Sequence, residues 1–514
     1  MQASAEPREK PGDMNPRLRL ILFVALGAVL GVLIGVDIAD ESYGLATLVA
    51  LACCWAIIER TSDSPPDAWL LAAAIAGYVI GNRGFAQLQP TAQIPLLPAE
   101  AVLLVAVPGL VARMALKRTS GFRSDFLNYS ILVWVVVGSA RLPLDMSRFG
   151  IIALRDFAMV YYAAFFFIGQ AFGAQGASAR MLRNSLTIAF VGLLPAVVVN
   201  ELAPDFLLTT FTFRGIPVIF HKSDLIATSL AGGFFWLWTR MEKFNNRLWL
   251  VPAAASLLLI GIIASPRAAM AGVGLTTILW LLNGRWRIAA AQLGIISAAS
   301  IVVLAVLGFS GKDLRTSAPY SAFEHAISIF DPQGTGNYIN AESGDPGGNN
   351  RFRLIWWRDV VDETLSTNPA FGLGFGSDLA SRFLADYDLL SDENFSARSP
   401  HSMIVTVFGR MGIVGFLAWL AVAAAIATLV WRLFRRGQPD GIGLACVVCV
   451  TWISACVGVV LESPMGAIVF WTALGLANSI LHEGKLPVGA AAGEPRDEHP
   501  VANPGALDTE TAIR

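Results

Sequence analysis

Long apolar runs alternate with short polar connections through almost the whole chain. A bilayer crossing needs about 20 mostly apolar residues, fewer where a helix is short or bent. Runs of that kind cover 18–36, 43–58, 67–81, 98–115, 126–140, 150–171, 185–203, 222–239, 247–263, 268–283, 287–308, 403–431, 441–460 and 464–481. The pattern predicts an all-α, polytopic membrane helix bundle of about 12–14 transmembrane helices. The runs at 67–81 and 126–140 are short enough to be re-entrant or partial. Only 309–400 stays polar for long. It ends at Arg398-Ser399-Pro400-His401, where the next apolar run begins.

Basic residues set the orientation. Arg17/Arg19, Arg113/Lys117/Arg118/Arg123, Arg180/Arg183, Arg240/Lys243/Arg247, Arg285/Arg287 and Arg432/Arg435/Arg436 all fall on one side of this arrangement, which the positive-inside rule makes cytoplasmic. The connections 37–42, 82–97, 141–149, 204–221, 264–267, 309–400 and 461–463 then face outward. The chain divides into a cytoplasmic segment at 1–17, a first part of the bundle at 18–308, a large periplasmic loop at 309–400, a last part of the bundle at 401–485 and a disordered cytoplasmic tail at 486–514. The first apolar run lacks a small-x-small cleavage site and reads as an uncleaved helix.

Composition agrees with lipid as the solvent: 55% of residues are hydrophobic and 15% charged. The net charge of −1 implies no globally basic or acidic partner, and nothing points to nucleic acid. All five cysteines lie in apolar runs, so no disulfide framework is expected, and Cys446 with Cys449 reads as helix packing rather than a redox or metal pair.

Within the polar segment, 309–350 is rich in turn residues and reads as irregular. Leu354, Trp357, Val361 and Leu365 then recur at helical spacing, predicting an amphipathic helix that Asn349 or Asn350 caps. It stops at Asn368-Pro369. The following Phe371-Gly372-Leu373-Gly374-Phe375-Gly376 lacks the strand–turn–helix context of a dinucleotide fingerprint and reads as a tight structural turn. Asp386-Tyr387-Asp388 reads as a solvated helix face rather than a metal-holding pair, so no metal site is expected.

Two residue types carry candidate chemistry. The outward connections hold arginines where the orientation rule would make them scarce: Arg214, Arg267 and the cluster Arg351, Arg353 and Arg358, with Lys222 and Arg398 nearby in sequence to the helix starts. Guanidinium groups at membrane depth need partners. They either pair with lipid phosphate or share a pocket for an anionic substrate, because their planar fork suits phosphate. His401 is the candidate general base, since imidazole titrates near neutral pH. A histidine beside a helix start also serves as a cap or packing residue.

These residues fall in a familiar order. Arg353-x3-Trp357, then Asn368-Pro369-x2-Gly372-x-Gly374, then His401-Ser402-x9-Gly412-x2-Gly415, with Ser265-Pro266-Arg267 upstream, resembles the bacterial O-antigen ligase and polysaccharide polymerase family over roughly residues 200–430. The family's Asn after the histidine is Ser402 here, and its Ser-Arg pair is split by Pro266. The resemblance implies a metal-independent, inverting glycosyltransferase without cofactor, in the bacterial inner membrane. Its partners would be a glycan on a polyprenyl diphosphate as donor, and lipid A–core or another glycan hydroxyl as acceptor. His401 would be the counterpart of the family's base; Arg214 and Arg267 would match its donor-binding arginines, with Lys222, Arg353 and Arg398 as further substrate-binding candidates. Two other classes compete: a polysaccharide-related transporter or flippase, which needs ionisable residues near the midplane where this sequence has few, and a non-catalytic assembly protein.

Overall fold

The computed structural model describes residues 53, 55, 57–59, 61–89, 97–116, 121–263, 267–310, 315, 318–331, 336, 346–386 and 398–482. The expected spans 18–36 and 43–58 fall almost wholly outside these residues, as do the N-terminal segment and the tail.

The chain is an all-α, polytopic membrane protein. Its helices are α1 (Pro66–Ile80), α2 (Pro98–Ala115), α3 (Phe126–Phe149), α4 (Ile151–Gly173, broken near Phe157 and Ala163), α5 (Gly176–Leu202), α6 (Ser223–Phe244), α7 (Leu250–Ile260), α8 (Arg267–Leu282), α9 (Arg287–Ser310), α10 (Ala318–Ser328), α11 (Pro346–Thr367), α12 (Ser381–Asp386), α13 (Met403–Arg436), α14 (Pro439–Cys456) and α15 (Pro464–His482). Among the described residues eight helices are long and apolar enough to cross a bilayer, and shorter apolar helices include α1 and α8. A two-residue hairpin, β1 (Thr212–Phe213) and β2 (Ile216–Pro217), lies between α5 and α6.

Helix ends follow local chemistry. Proline starts α1, α2, α14 and α15, where its missing N–H costs nothing. The Asp125 carboxylate accepts from Asn128 N–H at 2.8 Å and caps α3. Gly437, at φ 74°, ends α13 in the left-handed region. In the interior, α15 is apolar on every side and buried on almost all of them. It crosses α4 so closely that a Cβ on Gly475 would lie 2.2 Å from the Phe166 carbonyl. Packing between small residues is what holds helices together where lipid removes the hydrophobic drive.

The ends of the bundle differ. At one, Arg183, Arg240 and Lys243 converge on Asp440, while Arg285 reaches Glu242 and the Gly437 carbonyl. Arg183, Arg240, Lys243 and Arg285, from three of the basic connections, therefore share one end. The other, termed the loop end, carries α10 to α12 and the helix starts at 403 and 464.

Four expectations are corrected at the loop end. The connection 141–149 is the last part of α3: Arg141 and Asp145 pair at 3.0 Å one turn apart, so these polar residues continue the helix. The stretch 309–350, read as irregular, contains the eleven-residue α10. The packing face of α11 is also displaced. Trp356, Val360 and Thr364 are the buried positions, whereas Leu354 and Leu365 are exposed. Phe352 meets Phe383 edge-on, Trp356 stacks on Phe383, and Trp356 donates from its indole to the Leu379 carbonyl at 2.7 Å. Asn350 does not start the helix, which begins at Pro346; its amide instead donates to the carbonyls of Ser328 and Asp331.

Candidate functional site

His401 stands immediately before the N-cap of α13. Ser402 is that cap, its hydroxyl accepting weakly from Val405 N–H while donating to the Cys456 carbonyl at 2.7 Å. This ties the start of α13 to the end of α14. His401 itself has φ 55°, in the left-handed region that few non-glycine residues enter. The chain turns sharply there, and the imidazole lies half-buried with its ring centre 6.0 Å from that of Trp356. Trp357 donates to the Pro400 carbonyl at 2.6 Å. Two adjacent tryptophans of α11 thus fix the approach to His401.

Cations surround this imidazole. Burial, with the charges of Arg353 and Lys222 acting on it, pushes His401 down to about 4; Asp224 opposes them. Arg353 projects from α11 and donates to the Val457 carbonyl at 2.7 Å. Burial lowers its own pKa, against the pull of Asp224. Lys222 reaches Asp224 at 3.5 Å. The segment that carries both is pinned to the end of α1. The Asn82 carbonyl side chain accepts from Lys222 N–H at 3.0 Å, the His221 ring meets the Ile80 carbonyl at 3.0 Å, and Phe220 exchanges backbone bonds with Gly81 and Gly84.

Arg267 lies on the far side of Arg353. It starts α8 and donates to Asn350 Oδ1 at 2.8 Å. Arg267, Asn350, Arg353, Leu354, Trp357 and Val457 line one cavity of about 220 Å³. The α11 face that the periodicity marked for packing, Leu354 and Trp357, instead walls this cavity. Arg353 is the link in this arrangement: it shares the cavity with Arg267 and acts, with Lys222, on His401.

The other two candidates sit elsewhere. Arg214 occupies the tip of the β1–β2 hairpin at φ 52°, exposed, with its guanidinium over the Phe213 ring. Arg398 donates to the Gly376 carbonyl at 2.7 Å and approaches Asp156 at 4.0 Å. It lines a second cavity of about 210 Å³ with Asp156, Ser399, Arg410 and Glu462. Tyr387 and Asp388 of the acidic pair motif lie outside the described residues.

The glycine-rich turn braces α13. Its backbone joins α13 at the point where that helix is broken, at Gly412. Leu373 and Gly374 N–H donate to the carbonyls of Gly409 and Arg410, at 2.7 and 3.1 Å. In return, Ile413 and Val414 N–H donate to Pro369 and Ala370, at 2.9 and 3.1 Å. Arg141 donates to the carbonyls of Phe371 and Gly372, while Phe375 and Gly376 N–H bind the carboxylates of Asp145 and Asp156.

Residues 252–420 match the family model described as O-antigen ligase. This stretch carries the O-antigen ligase domain. It covers about a third of the chain, from α7 to the middle of α13, and includes Arg267, Arg353, Arg398 and His401 but not Lys222 or Arg214. The chain is a multi-pass membrane protein in which this stretch is similar to the O-antigen ligase family. No curated protein matches the chain.

Sequence reasoning passed over Asp224, Asn82 and the two tryptophans as parts of the site. Asp224 had a readable signal, an acid in the first turn of a helix two residues after a lysine. Asn82 had none, because its role depends on a partner 140 residues away.

Proposed function

We propose that the chain transfers a glycan from a polyprenyl-diphosphate donor to an acceptor hydroxyl, at the periplasmic face of the bacterial inner membrane. The observation that carries this reading is the placement of Arg353, which shares a cavity with Arg267 and acts with Lys222 on His401. Arg353 and Arg267, from different helices, line a cavity big enough for a diphosphate, and their forks suit its oxygens. Leu354, Ala268 and Ala271 give that cavity an apolar flank for the start of the lipid tail.

In this reading the acceptor oxygen attacks the anomeric carbon as the bond from that carbon to the diphosphate breaks. The bonding electron pair leaves with the diphosphate, and the acceptor proton passes to His401. Arg353, Arg267 and Lys222 hold the leaving charge in a site of low dielectric. Attack opposite the leaving group inverts the anomeric centre.

The cations serve a second purpose. After burial, the larger cause, they disfavour imidazolium, so His401 is in its proton-accepting form above about pH 4. Arrival of the anionic diphosphate offsets them, and the imidazole becomes a stronger base when the acceptor needs one.

Two experiments test these roles. Arg353→Gln should raise KM for the lipid-linked donor about tenfold or more, the value of a charge-assisted bond. An unchanged KM would remove Arg353 from donor binding. The pH profile of kcat/KM reports the free enzyme, and only neutral His401 is active, so the acid limb should lie near about 4 rather than near the ordinary 6.5. Lys222→Met deletes a charge that disfavours imidazolium, so the limb should move upward. A limb that stays in place, or moves down, contradicts the assignment.

A further inference from the structure

The second cavity has a lining unlike that of a lipid groove. Asp156 comes from α4, Arg398 and Ser399 from the strand of chain before α13, Arg410 from α13 itself, and Glu462 from the connection after α14. Met159 is the apolar exception. A polar chamber of about 210 Å³ in a helix bundle suits a compact polar group, not an acyl chain.

Its internal pairing leaves a definite remainder. Asp156 is taken by Arg410 at 2.6 Å, by Arg398 at 4.0 Å and by the Gly376 N–H. Glu462 accepts from the Thr406 hydroxyl at 2.9 Å and is linked to Ser399, and burial raises its pKa. Arg155 also lines the cavity, is exposed, and has no ion-pair partner among the described residues. Three guanidinium groups thus face two carboxyls, one of them inclined to protonate. The complement is a ring with several hydroxyls, able both to donate and to accept, plus one negative charge near Arg155.

The position is informative too. Arg398 and Ser399 line this cavity, and Pro400, the next residue, is held by Trp357 of the donor cavity. The segment ending at His401 therefore borders both chambers. We infer that the Asp156–Arg398–Arg410–Glu462 cavity is a subsite for a carboxylate-bearing sugar unit of the glycan substrate, with Arg155 binding the carboxylate. This deepens the transferase reading and rests on it for the word substrate, but binding can be measured without turnover.

The full-length protein in nanodiscs is titrated with glucuronate, methyl glucoside and inorganic phosphate, by saturation-transfer NMR. Glucuronate should bind about tenfold more tightly than methyl glucoside, the scale of one charge-assisted contact. Arg155→Ala should remove that preference and leave methyl glucoside binding as it was; Arg155→Glu should reverse it. Arg155 is exposed and has no ion-pair partner among the described residues, so these variants keep the fold. Equal binding of the two sugars, or a preference that survives in Arg155→Ala, overturns the proposal. So does phosphate displacing glucuronate at lower concentration, which would mark a phosphate site. His401→Ala separates the two readings: glucuronate binding should persist in it, whereas full transfer activity in it would sink the catalytic reading alone.

Discussion

His401→Ala is expected to slow transfer from a lipid-linked donor by about 10²–10⁴-fold, the usual worth of a positioned general base. The measurement is single-turnover transfer with enzyme in excess over donor, so that product release does not mask the chemical step. Donor affinity should change little, because Arg353 and Arg267 belong to other helices and keep their partners at the Val457 carbonyl and Asn350. Alanine at φ 55° brings a strain of its own. His401→Asn controls for it, since asparagine enters the left-handed region readily and offers no imidazole. On the proposed reading both variants lose transfer alike while both fold. Full activity in either one ends the assignment of His401 as base.

Much of the bundle was legible because lipid enforces regularity. Each crossing must satisfy its own backbone, so an apolar run and a helix are nearly the same object. The run read at 98–115 is α2, Pro98–Ala115, and the run at 464–481 differs from α15, Pro464–His482, by one residue. Ends were clear where proline starts a helix and blurred where polar residues continue one, as Arg141 and Asp145 do.

The loop end obeys no such rule, and there the pattern misled. The stripe Leu354, Trp357, Val361 and Leu365 has helical spacing, but so does Phe352, Trp356, Val360 and Thr364, one face over. Thr364 disguised the true packing face because its hydroxyl donates to the Val360 carbonyl at 2.7 Å inside the helix. His401 and Arg353 could be nominated as single residues. The charges around them include Lys222 and Asp224, carried in by a segment fastened to Asn82, a contact no local pattern encodes. Asp156 with Arg410, 254 residues apart, is the same kind of pairing.

Gly412→Ala should fail at the level of the fold. Gly412 has φ 63° and ψ −158°, a region that in practice only glycine occupies, at a cost of roughly 1–3 kcal/mol for any other residue. Space is the larger problem. An added Cβ would lie 2.5 Å from Gly372 N and 2.6 Å from the Ala370 carbonyl, and these are backbone atoms that cannot rotate aside. Relief requires the 369–376 turn to withdraw. It would give up its four bonds to α13 and those to Arg141, Asp145, Asp156 and Arg398. Each is worth about 1 kcal/mol net, more for the charged partners, so together they rival the roughly 5–15 kcal/mol stability of a whole domain. The variant should therefore give little monodisperse protein in detergent, and what is recovered should lack transfer. Gly274→Ala is the matched control: that helical glycine has nothing within 4 Å of a new Cβ, and the change should leave yield and melting temperature equal or slightly raised. If Gly412→Ala instead melts with the wild type, α13 does not need the break, and the turn is not what holds Arg410 and the His401 segment in place.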